Sequence, residues 1–351
     1  MSTDTRFYRR VGSLNAREIS GELDGELAGN PACSVHDVAS HTAPSAGTLI
    51  FVGAGEKADL PEAHEGIIIG PAALRETMTL RDGSAFIVHS HPRAAFARIA
   101  AQLVVPHTRM ALAAIDPSAS IAASAVISAG ASIGAGARIG DDCQIGPNAV
   151  IGPGVEIGER THVGACAVIG FALIGRECRI GPGSVLGEAG FGLAPGPDGL
   201  VELPHFGRVV LGDQVRIGAN CTIDRGMFGD TLLRTGVKLD NLCHIAHNVD
   251  VGEHTLMAAF AGVSGSVKIG RGAQFGGRVG IVDHVNIGEG ARLAANASPA
   301  WDVPAGETWA GQPAQPIRSW LRELAILKRM AAPKRRAVDA GKPSVQDKTD
   351  D

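Results

Sequence analysis

The chain has 351 residues, a formal net charge of −4 with both signs interspersed, and no run of about 18 apolar residues, which argues against a nucleic-acid surface and a transmembrane helix. Glycine contributes 47 residues and the aromatic residues only 4%, so the 45% apolar content predicts a core of aliphatic side chains. The N-terminus lacks a secretory apolar segment and the six cysteines form no CxxC pair, so we predict a cytoplasmic protein without a zinc ribbon.

Residues 1–105 are predicted to form a separate α/β domain. A helix is expected near residues 14–28, with Ser13 as its N-cap, because the apolar residues there approximate one helical face. Three strand-like runs follow, GTLIFVG (47–53), GIIIG (66–70) and SAFIVHS (84–90). Pro92 is expected to open a second helix that continues through Leu103.

An aliphatic ladder with a period of six residues organises the middle of the chain. It runs from Ile115 to Ile169, resumes at Ile174 after a one-residue deletion, and forms a second unbroken series from Leu233 to Leu293. A helix cannot satisfy this period, because residues six apart drift around the helix axis. Short strands joined by turns can satisfy it, with three hexapeptides closing each coil. The ladder therefore predicts a β-solenoid.

Four cysteines follow the same period. Cys143, Cys178, Cys221 and Cys243 each stand four residues after a ladder aliphatic, at a position that favours small side chains. We predict that these cysteines pack in the core and do no chemistry.

Glycine-rich and proline-rich segments interrupt the ladder at residues 187–208 and 224–232. Insertions into a solenoid usually lie on one face, which is often the binding face. A tolerated surface loop is the alternative.

The predicted domain order is an α/β domain at 1–105, a β-helix at 106–300, a helical segment at 301–331 and a tail at 332–351. The helical segment carries one apolar stripe, formed by Ile317, Trp320, Leu321, Leu324 and Leu327. The tail is polar and contains proline, so we predict that it is disordered.

Three of the twelve histidines fall within NLCHIAHNVDVGEH, residues 241–254. The ladder turns them in different directions and places only His247 at an outward corner with Gly265, one coil further on, and the Asp283/His284 pair, two coils further on. Strands are about 4.8 Å apart, so His247 and His284 should lie roughly 10 Å apart. An imidazole beside an exposed N–H is suited to acyl transfer, because one removes a proton and the other stabilises the oxyanion. A zinc site that uses His247 and His284 is the alternative at this corner.

Several motifs together identify a family. They are GEAGFG (187–192), GRVVLGDQVRIGANCTIDRG (207–226), LDNLCHIAHNVDVGEHT (239–255), GVSGSVKIGRGAQFGG (262–277) and AGQPAQPIRSW (310–320). On these motifs the chain resembles the UDP-3-O-acylglucosamine N-acyltransferases of lipid A synthesis over residues 10–330. The resemblance implies a mainly β fold: a left-handed parallel β-helix of hexapeptide repeats with a small N-terminal uridine-binding α/β domain and a C-terminal α-helical segment. It also implies a homotrimer with active sites between subunits.

The resemblance also implies roles for residues. His247 matches the general base that deprotonates the 2-amino group of UDP-3-O-(3-hydroxyacyl)glucosamine, and the N–H of Gly265 matches the oxyanion donor. His284 matches a histidine that orients the substrate, and Asp240 is a weaker candidate for fixing the imidazole or the amine. No metal or cofactor is implied.

Two further binding regions follow from the resemblance. Phe51 matches an aromatic residue that stacks on uracil, with core packing as the alternative. The family follows that aromatic with Asn-Pro-Lys-Tyr, whereas this chain has Ala-Gly-Glu-Lys at 54–57. Four basic residues are candidates for docking the acidic acyl carrier protein that supplies the 3-hydroxyacyl thioester: Arg318, Arg322, Lys328 and Arg329. A solvated helix face is the alternative for them.

Three other functions are alternatives. A UDP-N-acetylglucosamine O-acyltransferase shares the β-helix and the IAH element, but it normally lacks the N-terminal domain and has aspartate in place of Asn248. A zinc carbonic anhydrase of the β-helical type and a non-catalytic scaffold are the alternatives from other classes. The sequence does not predict the preferred acyl chain length.

Overall fold

The computed structural model describes residues 3–53, 64–108, 114–311 and 314–331. The described residues up to Gly311 form one compact unit, and the C-terminal helix belongs to a second. The tail predicted to be disordered, residues 332–351, lies outside the described residues, as do residues 54–57 after Phe51. The domain boundaries inferred from the sequence remain a prediction.

A parallel β-helix with three sheets forms the larger part of the molecule, and we number the sheets in chain order. Sheet I consists of Ser120–Ile121, Arg138–Ile139, Glu156–Ile157, Ala172–Ile174, Val209–Leu211, Thr231–Leu233, Asp250–Val251, Lys268–Ile269 and Asn286–Ile287. Sheet II consists of Val126–Ile127, Gln144–Ile145, His162–Val163, Arg179–Ile180, Arg216–Ile217, Lys238–Leu239, Leu256–Met257, Gln274–Phe275, Arg292–Leu293 and Thr308–Trp309. Sheet III consists of Ser132–Ile133, Val150–Ile151, Val168–Ile169, Val185–Ala189, Thr222–Arg225, His244–Ile245, Gly262–Val263 and Gly280–Ile281.

The strand register confirms the solenoid that the six-residue ladder predicts. Ile133 pairs with Ile151 eighteen residues later, and Ile157 pairs with Ile174 across the predicted one-residue deletion. These ladder side chains are at most 5% exposed, so each coil contributes aliphatics to one continuous core. The four cysteines named above are buried beside the ladder, as predicted.

Both interruptions of the ladder lie at the same corner, where the chain passes from sheet III to sheet I; we call it the III–I corner. The first leaves sheet III after Val185–Ala189 and contains a hairpin of Leu193–Gly196 and Gly199–Glu202. The second joins Thr222–Arg225 to Thr231–Leu233. The other corners of these coils remain tight turns, so the irregular backbone is concentrated along one edge of the β-helix.

The N-terminal part is built on a five-stranded sheet. Its strands, in spatial order, are Glu26–Gly29, Ala85–Val88, Gly66–Gly70, Thr48–Phe51 and Asp37–Val38. Two short ribbons accompany it, Tyr8–Arg10 with Val104–Pro106 and Leu14–Asn15 with Ser34–Val35. The three predicted strands are therefore confirmed within this sheet.

The helices of the N-terminal part are α1 (Ala16–Leu23), α2 (Ala72–Thr77) and α3 (Pro92–Leu103). The bounds of α3 are those that the sequence predicts. The predicted cap and length of the first helix are wrong, because Asn15 and Glu18 form a capping box and Asp24 ends α1 in a left-handed conformation.

The C-terminal helix α4 spans Ile317–Ala331 and confirms the predicted helical segment. Ile317, Trp320, Leu321 and Leu327 of its apolar stripe are exposed. None of the helices in the described ranges has the length and apolarity needed to cross a bilayer.

Candidate active site

His247 lies at the III–I corner, two residues after the buried Ile245 of sheet III, and is half-buried. The N–H of Ser266 donates to its carbonyl oxygen at 3.0 Å, and the N–H of His284 donates to the carbonyl of Gly265 at 3.1 Å. These two bonds connect successive coils along one edge. The predicted row of His247, Gly265 and His284 is therefore present, whereas His244 lies on sheet III and His254 at another corner.

Asn248 fixes the tautomer of the His247 ring. Nδ1 of His247 lies 3.2 Å from Oδ1 of Asn248, and the backbone N–H of Met227 donates to the same oxygen at 2.9 Å. Because this oxygen only accepts, Nδ1 must carry the hydrogen and Nε2 presents the lone pair. The N–H of Asn248 in turn donates to Oγ1 of Thr231 at 2.9 Å, so the second insertion holds the asparagine in place.

Gly265 lies directly against the imidazole. A Cβ atom at this position would be 2.8 Å from both Cε1 and Nε2 of His247, which is closer than real Cβ contacts come. Among the described residues, the N–H of Gly265 donates no hydrogen bond. Nε2 of His247, which can take a proton, and Gly265, whose N–H can stabilise an oxyanion, are therefore neighbours.

His205 is a second histidine at this site, and it was missed at the sequence level. Its ring centroid lies 5.2 Å from that of His247 with an interplanar angle of 69°. Burial, followed by the proximity of His247, lowers the pKa of His205 to about 4. Residues 187–208 do not follow the hexapeptide period, so no register indicated that His205 would meet His247.

Hydrogen bonds from two other segments hold the backbone at His205. The Tyr8 hydroxyl lies 3.0 Å from the carbonyl of His205, and Nε of Arg225 donates to the same oxygen at 3.1 Å. The Arg225 guanidinium also donates to the carbonyl of Gly187 at 2.7 Å and stacks 4.2 Å above the Phe171 ring. The first insertion is therefore anchored to both the N-terminal part and the β-helix.

Asp224 is an acidic residue that the structure brings near this row, where it interacts electrostatically with His247. It follows Ile223 on sheet III, and its Oδ2 lies 3.8 Å from Nε2 of His244. Burial is the main cause that raises its pKa, and the neighbouring Glu188 acts in the same direction. Pairing Thr222 with His244 across the second insertion would have indicated this neighbour from the sequence.

Asp240 does not join this cluster. It is exposed at the corner between sheets II and III, where its Oδ1 accepts from the N–H of Asn241 at 2.8 Å. The width of one sheet, roughly 16 Å for five residues, separates that corner from the III–I corner. His284 is on the correct corner but exposed, and it stands beyond Gly265 as seen from His247.

Phe51 is 7% exposed and packs in the core. Its ring centroid lies 5.0 Å from that of Phe96 and 6.2 Å from that of Phe228, and the Arg93 guanidinium lies 6.0 Å from it. These contacts correspond to the core-packing alternative, and stacking on uracil remains a prediction.

The four basic residues predicted to dock a carrier protein, Arg318, Arg322, Lys328 and Arg329, are exposed on α4. Their role remains a prediction. In the described part of the chain no three His, Cys, Asp or Glu side chains are placed to hold a metal ion.

Family models agree with the repeat. Residues 136–171 match the family model described as bacterial transferase hexapeptide (six repeats), and residues 266–298 match the hexapeptide repeat of succinyl-transferase. A solved structure, LpxA from Acinetobacter baumannii, has 28% identity and a TM-score of 0.44, and the match covers 63% of this chain and 79% of that chain.

Two curated relatives match nearly the whole chain. The UDP-3-O-acylglucosamine N-acyltransferase of Caulobacter sp. (strain K31) is 43% identical over 334 residues, 93% of this chain and 97% of its own length. The protein of the same name from Maricaulis maris (strain MCS10) is 46% identical over 344 residues, 96% of this chain and 99% of its own length. Both matches therefore extend over the N-terminal part as well as the β-helix.

Proposed function

The chain belongs to the family of UDP-3-O-acylglucosamine N-acyltransferases and is an acyltransferase, and we propose that it acts in lipid A synthesis. It moves a 3-hydroxyacyl chain from acyl carrier protein to the 2-amino group of UDP-3-O-(3-hydroxyacyl)glucosamine. The observation that carries this proposal is that Nε2 of His247 lies beside Gly265, whose N–H donates no hydrogen bond among the described residues.

In the proposed reaction, Nε2 of His247 takes a proton from the 2-amino group as its nitrogen attacks the thioester carbonyl. The N–H of Gly265 donates to the oxyanion of the tetrahedral intermediate. When the C–S bond breaks, the proton passes from His247 to the carrier thiolate and the amide remains. No metal or cofactor takes part in these steps. General-base catalysis of this kind contributes about 10²- to 10⁴-fold to the rate.

The family resemblance extends the proposal to the assembly. The enzyme acts as a cytoplasmic homotrimer with active sites between subunits, and His284 orients the substrate. Because Asp240 lies at a different corner from His247, it can serve this site only from a neighbouring subunit. Phe51 contributes to the uridine site, and the basic residues of α4 attract the acidic carrier protein.

Purified protein incubated with UDP-3-O-acylglucosamine and a series of 3-hydroxyacyl carrier proteins tests the proposal. Mass spectrometry should detect the N-acylated nucleotide sugar, and the series gives the preferred chain length. His247→Ala should lower kcat by about 10²- to 10⁴-fold without unfolding the chain, because only the base is removed.

His254→Ala is the matched control, since His254 is exposed at another corner. This variant should keep the activity of the parent chain. Full activity in His247→Ala would overturn the general-base assignment, and stoichiometric bound zinc in the active protein would favour the metal-dependent alternative.

A further inference from the structure

His205 is a buried histidine, and one of its ring nitrogens has no hydrogen-bond partner in the part of the chain that the structure describes. The residue is 3% exposed, and its Nδ1 lies 3.0 Å from the carbonyl oxygen of Leu203. Because a carbonyl only accepts, Nδ1 carries the hydrogen and Nε2 presents a lone pair. Within the described residues this Nε2 has no hydrogen-bond partner. Such unpaired buried acceptors are uncommon in native proteins and often mark function.

The lone pair lies on the side of His205 where Gly190 and His247 are found. A Cβ atom on Gly190 would be 2.8 Å from Nε2 of His205 and 2.7 Å from Cδ2 of His247, so both atoms border the same small space. The two rings meet edge to face, with centroids 5.2 Å apart. A side chain on residue 190 would therefore collide with both rings.

The pKa of His205 lies well below its ordinary value. Burial is the first cause that lowers the pKa of His205 to about 4, and repulsion from a charged His247 is the second. Near neutral pH His205 is therefore neutral.

We propose that His205 is a positioning residue whose Nε2 lone pair stabilises the imidazolium form of His247. The inference rests on the proposed function, since it requires His247 to accept a proton during the reaction. Among the described residues the lone pair has no hydrogen-bond partner, whereas in the transition state of the proposed reaction it faces the positive charge on His247. An interaction made only in the transition state raises kcat and leaves KM unchanged.

The backbone around His205 is suited to this role because it cannot easily turn the lone pair away. Its carbonyl oxygen accepts from Nε of Arg225 and lies 3.0 Å from the Tyr8 hydroxyl, while Leu203 holds the ring. A fixed dipole stabilises a developing charge without reorganising at the moment of reaction.

Three substitutions separate the lone pair from the rest of the side chain. In His205→Gln the amide oxygen can occupy the place of Nε2 and remain an acceptor. His205→Asn can keep a donor near the place of Nδ1, but its side chain is too short to bring its oxygen to the place of Nε2, and His205→Phe keeps a ring and neither nitrogen. The Asn and Phe variants should lose roughly tenfold in kcat, about 1.4 kcal/mol, with KM within about twofold. The Gln variant should retain most of the wild-type kcat.

A Gln variant as slow as the Phe variant, or an Asn variant with wild-type kcat, would overturn the role of the lone pair. A rise in KM without a fall in kcat would do the same, because it would assign His205 to substrate binding. Circular dichroism of each variant checks that the fold is retained.

Nitrogen NMR of the full chain labelled at histidine tests the inference without substrate. His205 should show the Nδ1–H tautomer, and the midpoint for protonating His247 should lie at lower pH in the Asn and Phe variants than in the parent and Gln proteins. The charged and titratable groups around the pair are the same in all four proteins: Glu188, Asp224, Arg225 and His244.

The two measurements distinguish the proposals. One result is that the parent protein fails to acylate the nucleotide sugar while the His247 midpoints are still lower in the Asn and Phe variants than in the parent and Gln proteins. In that case the proposed function is wrong and the lone-pair contact stands. If the parent is active and all four midpoints coincide, the inference about His205 is overturned.

Discussion

The regular coils and the III–I corner are parts of one β-helix, but they are held together differently. In the coils each hexapeptide repeats an inward aliphatic residue and a small residue. Ile145 and Cys143 are examples, and both are at most 1% exposed. At the corner, rings from three separate segments meet: Tyr8 lies 5.3 Å from Phe171 and 5.8 Å from Phe206. The repeat therefore supplies a uniform scaffold, and the site is assembled where segments outside the repeat pack against it.

This difference predicts that damage to a coil reduces stability without altering catalysis. Ile145→Ala removes a side chain that is 1% exposed, several coils before His247. The cavity should cost about 2–5 kcal/mol of unfolding free energy. The kcat of the folded fraction should stay at the parent value, because neighbouring coils interact only with each other. Urea unfolding and kcat, measured on one preparation, check the predicted loss of stability and the predicted constancy of kcat. If kcat falls together with the denaturation midpoint, the coil and the III–I corner are coupled.

The opposite behaviour is predicted at the corner. Gly265→Ala places a Cβ atom 2.8 Å from Cε1 and Nε2 of His247, so the imidazole must move by a few tenths of an ångström or more. Displacing a catalytic group on this scale lowers kcat, here by roughly ten- to a hundredfold. The unfolding free energy should change by less than about 1 kcal/mol, since the position is half-buried at the surface of the coil.

Gly21→Ala is the matched control for that substitution. Gly21 is exposed in α1 and an added Cβ would meet nothing within 4 Å. Its kcat should be unchanged, and the helix should gain about 0.5–1 kcal/mol. If both alanine variants retained kcat, the close contact at Gly265 would have no catalytic importance.

The six-residue period of the sequence is sufficient to predict the β-helix but only part of the candidate site. Because every ladder residue has a register, the positions of His247, Gly265 and His284 along one corner followed from counting, and the structure confirms them. His205 lies in an insertion without a register, so its contact with His247 depends on how the insertion packs.

The acidic residues near the site and the cap of the first helix also show where the sequence pattern stops predicting the structure. Asp224 interacts with His247, but finding it from the sequence requires a count across the nine irregular residues 224–232. Asp240 has a register, and that register places it at a different corner from His247. At the start of the chain, the apolar pattern predicted a helix but could not decide between Ser13 and Asn15 as its cap. That choice depends on the reciprocal bonds between Asn15 and Glu18.

The smallest predicted effect concerns the charges that tie the corner to the N-terminus. Asp4 accepts hydrogen bonds from Arg6 and Arg208, each at 2.7 Å, and Arg208 also pairs with Asp230 at 2.6 Å. Burial raises the pKa of Asp4, but the hydrogen bonds from Arg6 and Arg208 outweigh it and lower the pKa to about 2 from 3.8. A carboxyl group with a depressed folded-state pKa stabilises the fold above pH 3.8 and loses that contribution as the pH falls towards 2.

Asp4→Asn should therefore be less stable than the parent by about 1 kcal/mol at pH 5, a value kept small because solvent screens a partly exposed ion pair. The difference should shrink towards zero as the pH falls from 4 to 2, since the parent then loses the same charge. Denaturant unfolding of both proteins across this range measures it. A difference that stayed constant with pH would mean that protonated Asp4 keeps stabilising hydrogen bonds that asparagine lacks. The charge of Asp4 would then not be what joins the N-terminus to the insertions.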